Sequence, residues 1–153
     1  MTKNIKPCLY GSSLEELKAL CKELELPQFA AKQIAGWLYK RFVTDIDAMT
    51  NLSKIARERL KERCDLGLSA PLKVSTSADG TKKYLFRTSQ GEYIESAYIP
   101  DGERATLCVS SQAGCRMGCR FCATGRQGLQ HSLSTTEIIN QILSIPESER
   151  LTN

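Results

Sequence analysis

Residues 105–130 read ATLCVSSQAGCRMGCRFCATGRQGLQ. The run opens as a short strand and becomes a glycine-rich loop carrying Cys115, Cys119 and Cys122 in the spacing C-x3-C-x2-C. Three thiols crowded into one short loop make a poor packed core. Thiolates are instead the soft ligands of zinc and of iron–sulfur clusters. Structural zinc takes a closed set of four ligands, usually in C-x2-C pairs. With His131 as the nearest donor beyond the last cysteine, a Cys3His zinc module that binds RNA is one reading. A cubane cluster usually takes four cysteines, so a loop with three leaves one iron open to another ligand, and this is the second reading. Gly114, Gly118, Gly125 and Gly128 suit a loop that wraps an inorganic centre, and they suit an ordinary flexible loop as well. Arg116, Arg120 and Arg126 fit either contacts to phosphate or carboxylate, or a solvated face.

Outward from this loop, the composition is that of an ordinary globular chain. It has 153 residues, 41% of them hydrophobic, and a formal net charge of +4, which permits a nucleic-acid partner without demanding one. The start, MTKNIKPCLYGSS, has no apolar signal region, and no run approaches membrane-spanning length. The expectation is a cytoplasmic chain without a membrane partner. Seven cysteines, three of them clustered as ligands, point to reduced thiols rather than a disulfide framework.

Residues 1–68 are expected to form a helical accessory domain. Ser13 and Glu16 make a capping box ahead of LEELKALCKELEL, with Leu14, Leu17, Leu20, Cys21 and Leu24 at helical spacing. Pro27 suits the first turn of a second helix whose buried side is Ile34, Trp37, Leu38 and Phe42. Ser53 caps a third, apolar at Ile55, Ala56, Leu60 and Cys64. Cys8, Cys21 and Cys64 read as small packing residues. The basic residues interleave with acids in the third helix, the pattern of a solvated face, and RNA contact by this domain is an equal alternative.

At Leu72 the period changes to two. LKVSTS, Asp79-Gly80, TKKYLFR, a turn through Gly91, EYIESAYIP, a turn through Gly102 and ATLCVSS predict an antiparallel meander. Residues 69–104 are therefore read as a β-hairpin region and residues 105–153 as the start of a further core. If the last turn leaves Pro100 opposite Ala105, then Ala97 faces Cys108 and Glu95 faces Ser110. Glu95 and Cys108 become diagonal neighbours on one face, about 7–8 Å apart. A carboxylate and a thiol so placed suit acid–base chemistry; they equally suit a solvent-facing acid and a small core residue. After the loop, Ser134 and Glu137 form a second capping box before a helix apolar at Ile138, Ile139, Ile142 and Ile145. The fold class is α+β: three helices, a meander, then one βα unit.

C-x3-C-x2-C with Phe121 before its last cysteine resembles the radical S-adenosylmethionine enzymes. The longer run from IESAYIPDGER through TLCVSSQAGC to STTEIINQI resembles the RlmN family of radical S-adenosylmethionine RNA methyltransferases, across essentially the whole chain. The resemblance implies a 4Fe-4S cluster on Cys115, Cys119 and Cys122, with Phe121 at the S-adenosyl-L-methionine site. It implies Glu95 as proton acceptor and Cys108 as the thiol that helps release the RNA. The substrates it implies are carbon 2 of adenosine in 23S rRNA and in tRNA, with a flavodoxin-like electron donor; oligomeric state is left open. The related Cfr enzymes, which methylate carbon 8, are the alternative within the same chemistry, and the YIP-x3-R-x-TLCVSSQ run favours carbon 2. The family's second catalytic cysteine and its later cofactor-binding segments have no counterpart here. A closed (β/α)8 barrel takes about 250 residues, so the expectation is the N-terminal part of such an enzyme, a truncated partial barrel inactive alone.

Overall fold

The computed structural model describes residues 6–148 and Leu151. The chain divides into two compact units, residues 1–68 and 69–153.

The first unit packs α1 (Leu14–Glu23), α2 (Gln28–Tyr39) and α3 (Lys54–Arg63), with a 3₁₀ turn at Ile46–Ala48 before α3. Ser13 accepts from the Glu16 N–H while Glu16 accepts from the Ser13 N–H, closing the capping box. Ser53 caps α3 by accepting from Ala56 N–H. Leu17, Cys21, Ile34, Leu38 and Leu60 are essentially fully buried, each large aliphatic side chain contributing about 1.5–3 kcal/mol. A parallel bridge joins Cys8 to Asp65 and brings the two ends of the unit together, with Leu9 N–H donating to Asp65 C=O at 2.8 Å. Burial pushes the Cys21 and Cys64 thiols up, as suits packing residues.

Three expected core positions are instead exposed: Leu14, Phe42 and Ile55. Leu14 opens α1 and Ile55 lies in the first turn of α3, both off the stripe that meets the other helices. Phe42 follows the end of α2 in a left-handed conformation, φ +49°, so helical spacing does not govern where it points.

The second unit is built on a four-stranded antiparallel sheet of β1 (Lys73–Thr76), β2 (Lys82–Arg87), β3 (Tyr93–Asp101) and β4 (Arg104–Cys108), in that spatial order. Ser77 N–H donates to Thr81 C=O and Gly80 N–H to Ser77 C=O. The Asp79-Gly80 loop thus has three residues rather than the two of the tightest turn, with Gly80 at φ +86° taking the left-handed position such loops require. The β3–β4 turn keeps the expected register, Pro100 opposite Ala105 and Ala97 opposite Cys108.

One face of this sheet is buried. Tyr84, Phe86, Ile94 and Tyr98 pack with Ala113, Leu133 and Ile145, and with the half-buried Ile138 of α5 (Thr135–Leu143). The opposite face, bearing Lys83, Leu85, Glu95, Ala97 and Cys108, lines an open cleft.

Between β4 and α5 lie β5 (Gln112–Ala113) and β6 (His131–Ser132), an antiparallel pair that closes residues 114–130 into a loop. No helix among the described residues is long and apolar enough to cross a membrane.

Candidate functional site

The base of the cysteine loop is fixed by backbone. Gln112 pairs with Ser132 and Ala113 with His131. Gln130 N–H donates to Ala113 C=O at 2.9 Å, and Cys115 N–H to Gly128 C=O at 3.1 Å. Only a residue without Cβ fits at Gly114: its φ is +76°, and a Cβ there would sit 1.8 Å from the Gly128 carbonyl oxygen. Inside the loop, α4 (Ala123–Arg126) starts directly after Cys122. A Cβ on Gly125 would lie 2.9 Å from the Cys119 nitrogen, so this turn packs tightly on the second cysteine.

Cys115, Cys119 and Cys122 are free and half-buried. The backbone N–H groups of Gly125 and then of Thr124 hold the Cys122 thiol below its ordinary range, favouring the thiolate that a metal binds. Among the described residues no three His, Cys, Asp or Glu side chains converge as a ready metal site. The fit to a cluster rests on the donor set: three unpaired soft thiols on one closed loop, one of them biased toward thiolate. His131, the fourth donor of the zinc reading, directs Nδ1 to Glu92 Oε2 at 3.3 Å. Phe121 is 93% exposed. Arg116, Arg120 and Arg126 are exposed as well, and Arg126 Nε donates to Arg120 C=O at 2.8 Å, serving the loop itself.

The expected juxtaposition of Glu95 and Cys108 is present. Ala97 faces Cys108, and the row beyond is closed by Ser110 Oγ, which donates to Glu95 C=O at 2.6 Å. Glu95, Cys108, Ser110, Gln112, Gly114 and Thr124 line one cleft of 520 Å³. Acid and thiol thereby share this space with Gly114, Ala123, Thr124 and Gln127 of the loop, while Cys115, Cys119 and Cys122 lie outside its lining. Glu95 carries an ion-pair partner that strand periodicity alone did not single out, Lys83 Nζ at 2.9 Å from Oε2. The signal available in the sequence was the β2–β3 hairpin, whose register sets Lys83 opposite Ala97.

A second residue missed by periodicity is Gln141, fully buried on α5. Its Oε1 accepts from Ser110 N–H and its Nε2 donates to Ser110 C=O, both at 2.8 Å. Apolar spacing drew attention to Ile138, Ile139 and Ile142, which are only half-buried. The amides of Asn140 and Gln141 are buried more deeply because each satisfies backbone that leaves regular structure: Asn140 Oδ1 accepts from Ser69 N–H at 2.7 Å. Gln141→Leu is expected to destabilise the second unit by about 2–4 kcal/mol, since two part-buried backbone groups of Ser110 lose their partners. Denaturant unfolding checks this; a loss below about 1 kcal/mol would mean water replaces the amide.

In the helical unit, most basic residues behave as a solvated face. Lys61 pairs with Asp47, Arg63 with Glu23 and Arg59 with Glu25. The exception is a shallow cleft of 270 Å³ lined by Lys32, Gln33, Trp37, Lys40, Arg41 and Asn51. The Arg41 guanidinium lies 4.3 Å from the Trp37 ring centroid, a cation–π arrangement.

Residues 8–66 match the family described as Ribosomal RNA large subunit methyltransferase N-terminal domain. The chain is 55% identical over 145 residues to the "Probable dual-specificity RNA methyltransferase RlmN" of Bacteroides fragilis, covering 95% of this chain and 42% of that protein. It is 45% identical over 141 residues to the "Dual-specificity RNA methyltransferase RlmN" of Geotalea uraniireducens, covering 92% and 41%. Among solved structures, a radical SAM methyltransferase from Sphaerobacter thermophilus superposes with a TM-score of 0.81 at 36% identity, covering 96% of this chain and 44% of that one. The chain thus spans about two-fifths of the length of the curated relatives it matches.

Proposed function

From the premise that the chain belongs to the RlmN family, we propose that it supplies the cluster loop and the acid–thiol face of a radical S-adenosylmethionine RNA methyltransferase. The substrates in this reading are carbon 2 of adenosine in 23S rRNA and in tRNA, and the compartment is the cytoplasm. The observation that carries it is the single cleft bordered by Glu95, Cys108 and the cysteine loop.

Cys115, Cys119 and Cys122 would hold a 4Fe-4S cluster, whose open iron supplies reductive cleavage of S-adenosylmethionine and so a radical route to a ring carbon that ordinary methyl transfer does not reach. Phe121, exposed beside the last of these thiols, is assigned to the cofactor's side of the loop. Glu95 is the proton acceptor at adenine carbon 2, an exposed carboxylate within the cleft. Cys108 offers an exposed thiol on the same face and assists release of the RNA. Residues 1–68 act as an accessory domain that meets RNA through the Lys32–Trp37–Arg41 cleft. Residues 69–104 present most of the sheet face, and residues 105–153, which begin the catalytic core, complete it with Cys108 of β4. A flavodoxin-like protein supplies electrons.

The metal assignment is tested by anaerobic reconstitution with iron and sulfide. Wild type is expected to take up about four irons per chain, and a variant with Cys115, Cys119 and Cys122 all replaced by alanine none. One zinc per chain in place of iron, also lost in that variant, would overturn the cluster assignment.

A further inference from the structure

The Lys83–Glu95 ion pair lies on the open face of the sheet, with side chains 56% and 55% exposed. Exposed pairs of this kind add little to stability, so holding the fold together is a poor account of it. The register offers a better one. Lys83 stands opposite Ala97 and Ala97 opposite Cys108, so these three residues form one row across β2, β3 and β4. Glu95 belongs to the neighbouring row, opposite Leu85, which has no polar atom to orient a carboxylate. A glutamate on an exposed strand face has several staggered rotamers open to it. The Lys83 ammonium selects among them, drawing the carboxylate toward β2, so that acid and thiol flank the cleft from the two sides of β3. Alanine at position 97, between lysine and thiol, presents only a methyl group there. Lys83, Glu95 and Cys108 all line the same cleft.

We infer that Lys83 is a positioning residue, which holds the Glu95 carboxylate in one orientation on the β2 side of the cleft whose β4 side Cys108 borders. This rests on the reading of Glu95 as the proton acceptor. The role is orientation, so it predicts an effect on turnover rather than on RNA binding.

The test uses an enzyme of full family length carrying this sequence, assayed for methylation of an adenosine-containing ribosomal RNA transcript. Lys83→Met is expected to lower kcat by about tenfold to a hundredfold with KM unchanged, and Lys83→Arg to restore most of the loss. In a Glu95→Gln background, Lys83→Met should have no further effect, because its action runs through that carboxylate. In the 153-residue chain itself, side-chain scalar couplings should report one dominant Glu95 rotamer, averaged in Lys83→Met, with the melting temperature unchanged. A raised KM at constant kcat would overturn the inference and make Lys83 a contact to RNA phosphate. An equal loss in both backgrounds would overturn it too, and so would unimpaired turnover in Lys83→Met. If Glu95→Gln alone turned over normally, the reading beneath would fall and the inference with it; an inactive Glu95→Gln beside a normal Lys83→Met removes only the inference.

Discussion

Gly114→Ala is expected to open the cysteine loop while leaving the four-stranded sheet in place. The new Cβ would meet the Gly128 carbonyl oxygen at 1.8 Å, at a backbone φ of +76°. The left-handed conformation costs a non-glycine residue about 1–2 kcal/mol. Relieving the clash also breaks the hydrogen bond from Cys115 N–H to Gly128, about 1 kcal/mol more. The sum, roughly 3 kcal/mol, falls on the loop base, because residues 114 and 128 lie outside the sheet. Hydrogen exchange should show lost protection at the Cys115 and Gln130 amides with protection in β2 and β3 retained, and iron uptake should fall to a small fraction of wild type. Gly118→Ala is the control. Its φ is also positive, +63°, but its Cβ would meet nothing within 4 Å, so it bears the conformational cost alone and should keep most of its iron. Equal behaviour of the two variants would show that the close approach of residues 114 and 128 is not what closes the loop.

Glu95→Gln in an enzyme of full family length is expected to reduce turnover by about 10²–10⁴-fold, the usual worth of a positioned acid–base group. The replacement is nearly isosteric and its side chain is half-exposed, so folding should be unaffected. RNA binding should persist, because the change removes proton-accepting capacity and not the cleft. Single-turnover methylation, with RNA affinity measured on the same preparation, separates the two. Full turnover would show that Glu95 is only a strand acid facing solvent.

How much of this was legible before the structure depended on which residues carried the signal. The helix caps at Ser13, Ser53 and Ser134 were readable because capping is local: a hydroxyl three residues before its N–H partner forms the same bond in any context. The β3–β4 register was readable for a similar reason, since a turn of known length determines every pair after it. From that register the closeness of Glu95 and Cys108 followed. Leu14 and Ile55 depart from expectation because helical spacing identifies a stripe without saying where the packing partners end, and Phe42 because α2 stops before it, at Tyr39. Asn140 and Gln141 were passed over because an apolar pattern treats every amide as surface. These two are buried because backbone at Ser69 and Ser110 needs their donors and acceptors, a requirement that arises only when distant segments meet.

The sequence by itself determined the local elements, the thiol spacing and the face shared by Glu95 and Cys108, all of which depend on neighbours within a turn or a hairpin. Tertiary structure alone decided that the acid, the thiol and the cysteine loop border one cleft and that Gln141 anchors Ser110 from α5. Such contacts join residues tens of positions apart, and their geometry is set by how the sheet packs against α5 and how β5 and β6 close the loop, which no local pattern encodes.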